Sequence, residues 1–82
     1  MNIQEAETII FRVLSEIAPE IDPASVDHDL DLTEQLDLDS IDYLNWMLGI
    51  DQLTGIDIPQ REVSAFLTIQ GAAAYLVAHA SD

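Results

Sequence analysis

The chain has 82 residues, and 16 Asp and Glu against 2 Lys and Arg give it a formal net charge of -14 at pH 7. That length allows one domain, residues 1–82, and no second core, with a stability of roughly 4–12 kcal/mol. Apolar residues make up 49% of it and Gly and Pro only 3 each, which excludes a disordered acidic tail.

The first element is an amphipathic helix. Ile3, Ala6, Ile9, Ile10, Val13, Leu14 and Ile17 recur at helical spacing and mark one apolar stripe. Asn2 with Glu5 three residues later has the pattern of a capping box, and Pro19 ends the helix near Ala18. Residues 19–38 then read as a long irregular connection, with Ile21, Val26, Leu30, Leu32 and Leu36 as apolar anchors. Part of it, from Asp29 to Asp39, alternates acidic and apolar residues as a strand does. No second strand candidate exists to pair with it, so a strand is rejected. A loop of about 20 residues in so small a domain is usually functional.

The second helix starts at Asp39-Ser40 and runs to about Leu53. Asp39 is its N-cap, Asp42 sits in its first turn, and Gly55 suits its C-cap. Tyr43, Trp46, Met47, Ile50 and Leu53 form one broad apolar face, while Ile41, Leu44 and Leu48 form a second stripe interleaved with Asn45, Asp51 and Gln52. The second stripe either seals more core or meets a partner. Gly49, mid-helix, points to a close approach. Ile56-Asp57-Ile58-Pro59 is extended, and a short helical turn from Arg61 to Phe66 packs Val63 and Phe66. Thr68 caps a last helix through His79, whose apolar side carries Ile69, Ala72, Ala73, Leu76, Val77 and Ala80.

The charge repels nucleic-acid phosphates and anionic lipid and favours basic protein partners. With no cysteine, the chain has neither a disulfide nor a thiol of its own. No apolar run approaches the ~18 residues of a membrane span and the first residues are not a signal peptide, so a cytoplasmic protein is expected. Asp27-His28-Asp29-Leu30-Asp31 invites a calcium-loop reading. Counted from Asp27, however, Leu32 and Leu38 stand where an EF-hand needs Gly and Glu, and counted from Asp29, Glu34 and Ser40 do. His28 and His79 share no helical face for a metal and neither lies near Ser40 in sequence, so no metal site and no enzyme are expected. His79 suits a helix C-terminus instead. Ser40 has two readings from local physics. It is part of a helix cap, or it is a modification site at which a phosphodiester would meet free backbone N–H groups and a positive dipole end.

The segment Leu36-Asp37-Leu38-Asp39-Ser40-Ile41-Asp42 resembles the Asp-Ser-Leu segment of acyl carrier proteins, with Ile41 in place of the usual Leu. The Ile58-Pro59 pair after the second helix, and Thr68-Ile69-Gln70 followed by small residues and Tyr75-Leu76, extend the likeness from about Leu30 to Leu76. The resemblance implies an all-α, four-helix bundle with a long first loop and a short third helix. It also implies that Ser40, flanked by the motif residues Asp39 and Ile41, receives 4'-phosphopantetheine from coenzyme A through a Mg²⁺-dependent phosphopantetheinyl transferase. The arm's thiol would then hold a fatty acyl, polyketide or aminoacyl group as a thioester, and the partners would be acyl-loading and acyl-transfer enzymes with basic docking surfaces. Asp42, Leu44, Asn45, Leu48 and Asp51 are the candidate docking residues on a monomeric chain.

Four departures from that family stand out. Asp37 replaces a common Gly, Asn45 and Gln52 are neutral where acids are usual, Thr54 replaces a bulky residue, and Trp46 adds bulk that fits core packing better than cargo recognition. Together they point to a specialised member with its own partners. The distinct alternative is an acidic helical interaction module in which Ser40 is only a cap residue. A calcium-dependent switch is the third.

Overall fold

The structure, a computed structural model, describes residues 1–80. Helix α1 spans Ile3–Ile17. Its capping box is closed: the Asn2 carboxamide accepts the Glu5 N–H at 2.8 Å and the Glu5 carboxylate accepts the Asn2 N–H at 3.1 Å. At the other end Ala18 donates to the Leu14 carbonyl, and Pro19 prevents continuation. Ala6, Ile10, Val13 and Leu14 are buried, Ile9 and Ile17 pack at the margin, and Ile3 in the first turn stays exposed.

The connection expected to be irregular contains two short helical pieces. Pro23–Ser25 forms a 3₁₀ turn, with the Asp22 carboxylate accepting the Ala24 N–H. Leu32–Gln35 forms a single α-turn, α2, with the Asp31 carboxylate accepting the Thr33 N–H at 2.8 Å. Both depend on an aspartate bonding the backbone two residues on, a local effect too short to register as periodicity. Val26 and Leu32 are buried, and Ile21 and Leu36 pack against the core. Leu30, expected as an anchor, is exposed, because the loop is held there through its backbone instead.

Gln35 provides much of that hold. Its side chain accepts the Asp27 N–H and donates to the carbonyls of Asp27 and Leu30. The loop is also stitched to the C-terminal half, with the Leu32 N–H on the Leu67 carbonyl at 2.7 Å and the Gln70 N–H on the His28 carbonyl at 2.9 Å.

Helix α3 covers Ser40–Thr54 and ends at Gly55, whose φ of 73° is the left-handed conformation that glycine adopts without strain. Tyr43, Trp46, Met47 and Ile50 are buried as the apolar face requires. Leu53 is not. It lies at the margin of that face, where α3 borders an open groove against α1, and is 44% exposed. At Gly49 a Cβ would stand 2.6 Å from Val13 Cγ1, so the glycine permits the close packing of α1 on α3.

After the extended stretch, a 3₁₀ helix runs over Gln60–Phe66, one residue longer than expected. Phe66 is fully buried, but Val63 is exposed: it is the Val63 carbonyl, not the side chain, that faces the core hydroxyl of Tyr43. Helix α4, Ile69–His79, is capped by Thr68, which accepts the Gly71 N–H at 2.9 Å. It buries Ile69, Ala72, Ala73 and Leu76, with Val77 partly covered and Ala80 just beyond the helix.

Helix α1 packs on both α3 and α4, and the 3₁₀ helix closes against α4. The architecture is therefore an all-helical bundle with a long first loop and a short third helix, and no strand occurs among the described residues. No helix among those residues is long and apolar enough to cross a membrane.

Candidate functional site

Ser40 is the first residue of α3 and is exposed. The cap is supplied by its neighbour: the Asp39 carboxylate accepts the Asp42 N–H at 2.8 Å, and the Asp39 carbonyl accepts the Tyr43 N–H at 3.0 Å. Of the first-turn donors this leaves the N–H groups of Ser40 and Ile41 without an acceptor inside the helix, at the positive end of a 15-residue helix. A phosphodiester on Ser40 Oγ would sit beside those donors, so the site fits such a group. Asp37 and Asp39 are exposed alongside it and Asp42 is half-buried. Their charges oppose a second anion, but screening by solvent and salt limits that opposition at the surface.

From Ser40 the second stripe of α3 runs along the surface, with Ile41 68%, Leu44 40% and Leu48 54% exposed. Asn45 lies exposed among them. These exposures show that, among the described residues, the stripe is not sealed into the core. Asp51 sits differently. It is half-buried, and its carboxylate accepts the Ile58 N–H at 3.0 Å, tying the segment after α3 to the helix.

The histidines are engaged elsewhere. His28 Nδ1 lies 2.7 Å from Glu7 Oε2 with its ring near Phe11, which fastens the loop to α1. His79 stacks on Tyr75 at 4.1 Å at the end of α4. Two acids of the calcium-like segment make local bonds: Asp27 accepts the Asp29 N–H, and Asp31 accepts both the N–H and the hydroxyl of Thr33. Those two Thr33 bonds hold the Asp31 carboxyl below its ordinary value of 3.8. Among the described residues no three His, Asp or Glu side chains come together to hold a metal.

One neighbour of the site is not apparent from the sequence. Tyr43, three residues after Ser40, is buried and its hydroxyl donates to the Phe66 carbonyl. Burial pushes its phenol well above the usual range, and the charge of Asp31 adds to the effect. The only sequence signal would have been a tyrosine at a core position, since a buried hydroxyl needs a partner.

A family model described as phosphopantetheine attachment site matches residues 9–76, a span that runs from α1 through most of α4 and includes Ser40. No curated protein sequence matches the chain. Domains of the matched family carry covalently attached 4'-phosphopantetheine and are typically non-catalytic carriers that interact with a phosphopantetheinyl transferase and with acyl-handling enzymes.

Proposed function

The chain belongs to the phosphopantetheine-attachment family, of which acyl carrier domains are members, and we propose from this that its arm is attached at Ser40. The observation that carries the assignment is an exposed serine at the start of a long helix whose cap is already made by Asp39. In the transfer, Ser40 Oγ loses its proton to a base on the transferase and forms an O–P bond. The pyrophosphate P–O bond of coenzyme A breaks, and adenosine 3',5'-bisphosphate leaves. The arm supplies the thiol that this cysteine-free chain lacks. Asp39 and Ile41 flank the serine, the first by fixing the turn and the second by offering apolar surface beside the arm.

Docking is assigned to the exposed stripe of α3, with Leu44 and Leu48 as apolar contacts and Asp42 and Asn45 as polar ones. Asp51 contributes charge from its place beneath Ile58. A basic partner surface complements it, because the whole body is acidic. In this reading the chain is a monomeric cytoplasmic carrier, not an enzyme, and its acyl, polyketide or aminoacyl cargo is handled by partner enzymes.

The test is an intact mass after incubation with coenzyme A, Mg²⁺ and a broad-specificity transferase. A gain of one phosphopantetheine is expected, absent in Ser40→Ala. Because the cap belongs to Asp39, that variant keeps its stability within about 0.5 kcal/mol. A gain that persists in Ser40→Ala would move the attachment elsewhere. In Leu48→Lys the transferase KM is expected to rise by ~10-fold with the fold intact, since truncation or charge at a central apolar contact weakens docking. An unchanged KM would remove the stripe from the docking surface.

A further inference from the structure

The interior beside Ser40 bears on what the arm can carry. Tyr43, Trp46, Phe66 and Tyr75 form a continuous ladder of rings, with successive centroids 5.6, 5.9 and 5.2 Å apart, leading from α3 through the 3₁₀ helix to α4. Three of the rings are fixed at their polar ends, Tyr75 by donating to the Asp57 carbonyl at 3.0 Å. Trp46 is fully buried and its Nε1–H donates to the Ile10 carbonyl on α1 at 3.2 Å. Tyr43 donates to the Phe66 carbonyl, with the Val63 carbonyl at 3.4 Å.

An apolar group on an arm at Ser40 has two places to go, between the helices or along the surface. Tyr43 and Trp46 are the first two buried residues of α3 after Ser40, so they stand in the way of entry past that end of the helix. An aliphatic side chain there could change rotamer and make room, as methionine does in adaptable cores. These rings cannot do so without leaving a buried hydroxyl or indole N–H unpaired.

Resting on the assignment of the arm to Ser40, we propose that Tyr43 and Trp46 bolt the interior against cargo, so that the acyl group stays outside the bundle. The cargo class that suits such a carrier is short or polar, a hydroxyacyl, aminoacyl or carboxyacyl group. A long alkyl chain kept outside would forfeit burial with every methylene. Partners then read the cargo directly instead of drawing it from the carrier's core.

The experiment loads the full chain at Ser40 from octanoyl-CoA and, separately, from 3-hydroxybutyryl-CoA, with intact mass checked first. The readouts are the NMR resonances of the Trp46 indole and the Tyr43 and Phe66 rings, and the melting temperature. Both loads are expected to leave those resonances where the unacylated arm leaves them, and the melting temperature within about 1 °C. Tyr43→Phe keeps the volume and removes the bond to Phe66; in it the octanoyl load is expected to shift the Trp46 indole resonance. An octanoyl load that shifts that resonance and raises the melting temperature of the wild-type chain overturns the proposal. An octanoyl load that behaves alike in the wild type and Tyr43→Phe overturns the part given to the hydroxyl. Absence of any mass gain at Ser40 shows instead that the attachment reading has failed, and the proposal falls with it.

Discussion

Asp39 holds the N–H of Asp42, Asp31 that of Thr33, Asp22 that of Ala24 and Glu5 that of Asn2, so four of the chain's many acids act as backbone acceptors at the starts of helical segments. Asp39→Ala is expected to lower stability by about 0.5–2 kcal/mol, read as a lower melting temperature. Asp31 adds a pH dependence. Its folded carboxyl is held below 3.8 by Thr33, so its contribution is present above that value and is lost as pH falls through the folded one. Tyr43 works in the opposite direction. Its phenol is raised, so the stabilisation is complete below the ordinary value of 10 and is lost as pH climbs beyond it. A pH titration of the melting temperature is expected to fall above about pH 10, and less steeply in Tyr43→Phe. Gln35 was invisible in the sequence, because a lone glutamine carries no pattern; only the folded loop brings Asp27 and Leu30 to its amide.

The helices were legible where their ends carry side-chain signals. Asn2 with Glu5, Asp39, Gly55 and Thr68 all terminate elements as their residue types require. What periodicity could not say is how far a neighbouring helix reaches. Leu53 belongs to the apolar face of α3 by spacing yet is exposed, and Val63 turns outward although its helix packs. Gly49 is a favourable test at this scale. Alanine has the better helix propensity by roughly 1 kcal/mol, but its methyl would meet Val13 Cγ1 at 2.6 Å. Val13 is buried and β-branched, so it yields poorly. Gly49→Ala is therefore expected to lower stability by about 1–3 kcal/mol, with Val13→Ala in the same chain recovering part of it. A stabilised Gly49→Ala would mean that α1 and α3 separate easily.

Across the whole molecule the -14 charge is distributed over a body of only 33 × 24 × 20 Å. The two arginines relieve little of it. Arg12 meets Glu16 and Arg61 meets Glu62 at 3.9 Å each, on exposed side chains where such pairs contribute little. Self-repulsion thus opposes the folded state, and salt should weaken that opposition. The melting temperature is expected to rise between low salt and about 0.5 M NaCl, and to rise in mild acid before the capping carboxylates protonate. A steady fall with salt would show that specific ion pairs outweigh the general repulsion. In the proposed carrier role the same field would favour partners with basic docking surfaces.

The class of the fold and the place of the candidate site were determined by the sequence alone. Capping residues, prolines and helical spacing act over a few neighbours, and the Asp39-Ser40-Ile41 segment with its surroundings is local too. The tertiary structure decided the rest. It showed that Trp46 is a core residue bonded to Ile10, that the stripe of Ile41, Leu44 and Leu48 is left uncovered, and that Asp51 is tied to Ile58. It also brought the Tyr43 hydroxyl to the end of the 3₁₀ helix. Each of those depends on which surface meets which across a turn of chain, and a one-dimensional pattern carries no information about that distance.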